Sequence, residues 1–160
     1  MKNSILLILM FLGVFSFAQH EKITKLLNQE FEKEQKMYEA DDLDKPKMIQ
    51  PFQIKNDTLS VAFSYQTDGG EIHYFRQVNL HDIESFEKDM NVLFIANDGS
   101  VKETITTQNM DGITEKKHYN YSHLFFTELR KDFKNKSLQK KITKAFAKAG
   151  YPISGEYWFD

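Results

Sequence analysis

Three Asp-Gly pairs constrain this chain more than any other feature: Asp68-Gly69, Asp98-Gly99 and Asp111-Gly112. Each stands between runs that alternate apolar and polar residues. Asp-Gly tolerates the positive φ that tight hairpin turns demand, so the pattern predicts antiparallel strands in a meander. The stretch 59–80 is the clearest case. Leu59, Val61, Phe63 and Tyr65 alternate with Ser60, Ala62, Ser64 and Gln66. After the turn, Ile72, Tyr74, Val78 and Leu80 return in phase, interrupted by Arg76. Asn56-Asp57-Thr58 turns a short strand at 52–55 into this hairpin. Residues 91–96 form an apolar run bounded by turn residues, which predicts a central strand. Residues 101–108 are Thr-rich and read as an outer strand, and 113–121 pairs back onto it.

The ends read as helices. Ile23, Leu26, Leu27 and Phe31 fall at helical spacing within 20–39. Residues 40–51 read as a linker, with Asp41, Asp42 and Asp44 in an exposed turn and Pro46 and Pro51 stopping regular structure. From Leu124 the period changes, and Phe125, Phe126, Leu129 and Phe133 predict a helix ended by Asn135. Ser137 would cap a last helix that places Leu138, Ile142, Phe146 and Ala149 on one face. Gly150 and Pro152 end it. The tail 153–160 predicts an edge strand. The fold class is therefore α+β. An antiparallel meander or partly closed barrel of six to seven strands is flanked by an N-terminal helix and one or two C-terminal helices. This order of elements over 52–149 resembles a pleckstrin-homology-type barrel, a likeness that implies a helix closing one end and no particular function.

Residues 1–18 look like a signal peptide. Lys2 is followed by an apolar stretch too short to span a bilayer, and Ser16 and Ala18 suit a peptidase. Residues 19–160 then form one domain, large enough to build a core without staples. The chain has no Cys, so disulfides, thiolate metal sites and Cys nucleophiles are excluded. The expected location is periplasmic or extracellular.

Chemistry-bearing motifs are sparse. Ser137-Leu138-Gln139-Lys140 matches S-x-x-K, but S-D-N and K-T-G are absent and a helix cap accounts for the same residues. His20, His73, His81, His118 and His123 lack metal-ligand spacing, so no metal or cofactor is expected. Tyr119, Tyr121, Tyr151, Tyr157 and Trp158 are candidates for a sugar- or peptide-binding platform. Charge is uneven: residues 19–100 hold 9 basic and 16 acidic side chains, and residues 101–160 hold 11 and 7. The basic surplus gathers on the last helix. There Lys140, Lys141, Lys144 and Lys148 form a candidate ligand-binding face toward an anionic envelope surface or a protein partner. Exposed aromatics beside these cations are missing, which argues against nucleic acid. The pattern predicts a non-catalytic binding or interaction module of the bacterial envelope. A small hydrolase assembled only in the fold is the alternative, and a lipid- or polyanion-binding protein using the lysine helix is a third.

Overall fold

The hairpin turns form where small polar residues accept left-handed backbone. Asn56 and Asp57 sit at φ 48° and 58° between β1 (Lys47–Lys55) and β2 (Thr58–Thr67), as a two-residue turn requires. Asp68 and Gly69 turn β2 into β3 (Gly70–Asn79), and Gly70 rather than Gly69 takes the positive φ, 131°. These assignments come from a computed structural model. It describes residues 2–39, 42, 45–130 and 135–159, without the side-chain surroundings of residues 2–17, 120, 121 and 156. The expected turn residues Asp41 and Asp44, and Phe133 of the expected helix, lie outside the described residues.

A 3-10 turn at Leu80–Asp82 leads from β3 into β4 (Ile83–Lys88). Next come β5 (Val92–Ala96), β6 (Val101–Asn109), β7 (Thr114–Ser122), β8 (Leu124–Phe126) and β9 (Ser154–Trp158). The first sheet has the order β1-β2-β3-β6-β7, the second β8-β5-β4-β9. Here β3 pairs with β6 while its continuation β4 pairs with β5, the segment that leads into β6. Likewise β7 pairs with β6, and its continuation β8 with β5. Three long strands thus bend from one sheet into the other, so among the described residues nine segments follow six chain paths. The α+β class holds, and the sheets do not close into a barrel.

The bends correct two expectations and an irregular edge strand a third. Asp98-Gly99 is not a hairpin turn, because β5 and β6 do not pair with each other; Gly99, at φ 75°, marks the corner between the sheets. Residues 124–126 continue β7 as a strand instead of opening a helix. Their side chains alternate: Phe125 is buried, and Leu124 and Phe126 are half-buried. Pro51 lies inside β1 instead of ending a linker, which an irregular edge strand allows: the pairing with β2 shifts register on both sides of Gln50.

Two helices cover the sheets. The first, α1 (Lys2–Gln35), starts within the expected leader, and its buried apolar side chains are Ile23, Leu27 and Phe31. Among the described residues no helix is long and apolar enough to cross a membrane. Phe31 packs on Phe63 of β2 with ring centroids 5.1 Å apart. Asn28 holds the β1 main chain at Phe52: its Nδ2 donates to the carbonyl at 3.0 Å and its Oδ1 accepts from the amide at 2.9 Å.

The second helix, α2 (Lys136–Lys148), buries Leu138, Ile142 and Phe146, as its pattern predicts. Phe146 meets Phe94 at 5.1 Å. The helix ends in a Schellman turn: Gly150 sits at φ 91°, and Tyr151 N donates to Phe146 O at 3.0 Å. Its N-cap is Asn135, not Ser137, which is exposed in the first turn. Asn135 forms no side-chain cap bond, because its Oδ1 accepts from the buried Lys88 Nζ at 2.8 Å.

Candidate functional site

One face of the first sheet runs from apolar to polar along its length. Leu59, Val61 and Phe63 of β2 are fully buried, and Tyr65 follows them in the same row, half-buried. Opposite them on β3 stand Val78, Arg76, Tyr74 and Ile72. Strand alternation therefore carries Arg76 to the core side, where its side chain is 8% exposed. A cation there demands partners. Glu103, directly across on β6, accepts from Arg76 Nε at 2.5 Å, and Glu128 accepts from Nη1 at 2.6 Å. Nη1 also donates to the Phe126 carbonyl at 3.1 Å. The guanidinium lies over the Tyr74 and Phe126 rings, at 5.1 and 5.6 Å. Burial alone would lower the Arg76 pKa, but the charges and hydrogen bonds of Glu128 and Glu103 raise it.

Glu128 is the strained member of this group. Its φ is 60° although it is not glycine, and its side chain is 7% exposed. Such backbone costs about 1–3 kcal/mol and persists only where the surroundings enforce it. The enforcing groups are visible. Beside Arg76, Asn91 Nδ2 donates to Glu128 Oε2 at 3.4 Å, and Arg130 Nη2 stands 3.7 Å from the same oxygen. The segment around it is pinned as well: Thr127 Oγ1 donates to Val92 O at 2.5 Å, and Arg130 N donates to Glu34 Oε2 of α1 at 2.6 Å.

The two tyrosines complete the wall. Arg130 Nη2 donates to Tyr65 Oη at 3.1 Å, and its guanidinium lies over the Tyr65 ring at 5.6 Å. Tyr65 and Tyr74 meet edge to face, 5.7 Å apart at 89°. Burial, then the Glu128 charge and hydrogen bond, push the Tyr65 hydroxyl pKa well above its ordinary value. Above these groups lies an open pocket of about 470 Å³ whose rim carries Gln66 and Thr67 from the end of β2 and Asp68 from the turn after it. That is the size range of small-molecule sites.

Sequence reading missed this pocket, because Glu128 and Arg130 lie in an irregular segment distant from β2 and β3. One signal was present: Arg76 interrupts an otherwise apolar inward row. The expected aromatic platform is not brought together. Tyr151 contacts His20 and His81, Trp158 packs on Phe86 and Lys88, and Tyr157 is exposed beside Phe159. The side chain of Tyr121 lies outside the described residues, and Tyr119 stands in β7 opposite Glu103.

The lysines lie on the exposed side of α2. Lys141 is drawn off to Glu30 of α1 at 3.1 Å, while Lys140, Lys144 and Lys148 have no ion pair among the described residues. His20 and His81 flank Asp57, with Nε2 atoms 3.6 and 3.8 Å from different carboxylate oxygens. That arrangement ties α1 and the 3-10 turn to the β1–β2 turn. Among the described residues no group of three or more His, Cys, Asp or Glu is placed to hold a metal ion. Comparison with family models, with curated proteins and with solved structures finds no match to this chain.

Proposed function

We propose that this chain is an exported, non-catalytic binding module whose small polar ligand enters the pocket between Tyr65, Tyr74 and Arg130. One observation carries the reading: Glu128 is held in left-handed backbone, nearly buried, by Arg76, Asn91 and Arg130 at the pocket wall. Strain over-determined by a hydrogen-bonded charge network is characteristic of sites whose geometry is set in advance. Because Glu128 accepts from several neighbours at once, it acts as a fixed acceptor, which favours binding over the alternative of a hydrolase.

A nuclear magnetic resonance screen of polar small molecules tests the site. Saturable shifts should group on the amides of Tyr65, Ile72, Tyr74 and Arg130, and should vanish in Arg130→Gln. Responses scattered over the surface would refute it. Export rests on residues 1–18, and intact-mass analysis of the native protein should find them absent.

Lys140, Lys144 and Lys148 of α2, without an ion pair among the described residues, support a second reading, attraction to an anionic envelope surface. Each cation near an anionic bilayer adds about 1 kcal/mol at low salt. Liposome co-sedimentation should then distinguish wild type from a variant with Lys140, Lys144 and Lys148 changed to Gln. Equal binding by both proteins would remove the lysines from consideration.

A further inference from the structure

We infer that the ligand of the Tyr65–Arg130 pocket is a neutral saccharide of one or two rings. The inference rests on the pocket being a binding site, as proposed above.

Charge decides first. The ionic groups of the wall already have partners: Arg76 has Glu103 and Glu128, and Arg130 has Glu128. An entering carboxylate or phosphate competes with Glu128 for the guanidinium groups. An entering amine competes with those groups for Glu128. Either ligand gains one charge contact by weakening another at Arg76 and Glu128, which are nearly buried and where a stranded charge is costly. An anion also meets the Asp68 carboxylate, which is exposed at the rim and has no ion pair among the described residues. A hydroxyl disturbs none of these pairs. It donates to a remaining lone pair and accepts from a remaining N–H without altering the charge balance.

The distribution of donors and acceptors suits a ligand of many hydroxyls. Arg76 donates from Nε and Nη1, and its Nη2 has no hydrogen-bond partner among the described residues. At the rim, Gln66 Nε2 and Thr67 Oγ1 both donate to Gly70 O, at 3.3 and 2.9 Å. The Thr67 hydroxyl and one of the two Gln66 N–H groups are therefore engaged, and the rim offers oxygen acceptors from Gln66, Thr67 and Asp68 beside the second Gln66 N–H. A donor at the floor and acceptors at the rim call for a ligand whose groups do both.

Shape points the same way. The Tyr65 and Tyr74 rings stand at 89°, so together they form a corner and not a slot. A flat aromatic ligand meets rings that already carry guanidinium groups, Arg76 over Tyr74 and Arg130 over Tyr65. A puckered sugar ring presents C–H groups on its faces and its edge, and packs on the aromatic surface that remains.

The test is a set of amide-shift titrations on the full chain. One arm uses maltose, cellobiose, lactose and N,N′-diacetylchitobiose. The other uses acetate, inorganic phosphate and glutamate. At least one neutral disaccharide should saturate the amides of Tyr65, Ile72, Tyr74 and Arg130. Its affinity should change less than about twofold between low and high salt, because no net charge is matched. Tyr74→Ala should weaken it about tenfold or more, with Tyr74→Phe keeping most of the affinity. If Tyr74→Ala fails to fold, Asp68→Ala at the exposed rim replaces it and should weaken binding measurably. Saturation by a charged probe but by no sugar overturns the saccharide assignment and leaves the pocket standing as a site. Saturation by no probe overturns both.

Discussion

The two ends of the five-stranded sheet meet one problem, a row of inward side chains that needs cover, in opposite ways. At one end the cross-strand partners Leu59 and Val78 are fully buried, in one hydrocarbon core with Phe52, Phe94, Phe125 and Phe146. Toward the other end the same strands carry Tyr74 and Tyr65, with Arg76 across from Val61 between the two regions, and the cover is a short irregular segment bearing Glu128 and Arg130. The first end is held by apolar burial, which is not directional and tolerates side chains of similar volume. The second is held by charged hydrogen bonds, which fix positions but lose their value when one partner is removed. A fold that must be both stable and receptive can divide those tasks along a single sheet.

Breaking each end separately tests that division. The largest effect is expected at the closed end, where Phe94→Ala should lower stability by about 3–5 kcal/mol in urea melts. A loss below about 1 kcal/mol would mean that the phenyl cluster is not the main support. At the open end, Arg76→Met leaves Glu103 and Glu128 without their shared cation and should cost about 3 kcal/mol. Adding salt should recover part of that loss, whereas it should do little for Phe94→Ala.

A smaller effect sharpens the hairpin at the rim. Gly70 sits at φ 131°, and a Cβ there would strike the Gln108 carbonyl of β6, whereas Gly69 has room. Gly70→Ala should therefore cost about 1–3 kcal/mol, and Gly69→Ala should stay within about 0.5 kcal/mol. Equal melting temperatures for the two variants would contradict this. Asp-Gly alone would assign the strain to Gly69, the second residue of the pair. The packing of β6 against β3 transfers it one residue onward.

The smallest effect is alkaline. Burial first, then the hydrogen bond to Asp57 and its charge, push the Tyr151 hydroxyl from 10.0 up to about 12. The unfolded chain loses that proton near pH 10 while the folded chain keeps it. The contribution of this tyrosine is thus present below pH 10 and is lost as pH rises toward 12. Tyr65 and Tyr74 are shifted upward too, and add in the same direction. Stability measured from pH 9 to 11.5 should fall less steeply in Tyr151→Phe. An unchanged slope would show that the hydroxyl does not sense folding.

Much of the frame was legible because local chemistry dictates it. The turns at Asn56-Asp57, Asp68-Gly69 and Asp111-Gly112 and the apolar face of α2 follow from spacing alone. The bends were not legible. A strand that changes sheets keeps its alternation, and Asp98-Gly99 looks the same at a corner as at a hairpin. The strand at 124–126 was hidden because three apolar residues in a row fit a buried helix as well as a strand. The site was the least legible part. Arg76 stood out as a cation in an apolar row, but its carboxylates come from β6 and from a segment with no periodicity. The backbone strain at Glu128 depends on contacts that exist only after folding.

The amide of Asn28 has a consequence for assembly. In the first sheet β1 and β7 are the outer strands, and an open strand invites a second molecule to extend the ladder. At Phe52 both main-chain groups are already taken by Asn28, and one residue earlier Pro51 has no N–H to offer. A strand approaching β1 meets an interrupted hydrogen-bonding register. At this margin one side chain from a helix takes up the bonds that an added strand would need at Phe52, whereas β7, with Lys116 and Lys117 exposed, is the other outer strand of the first sheet.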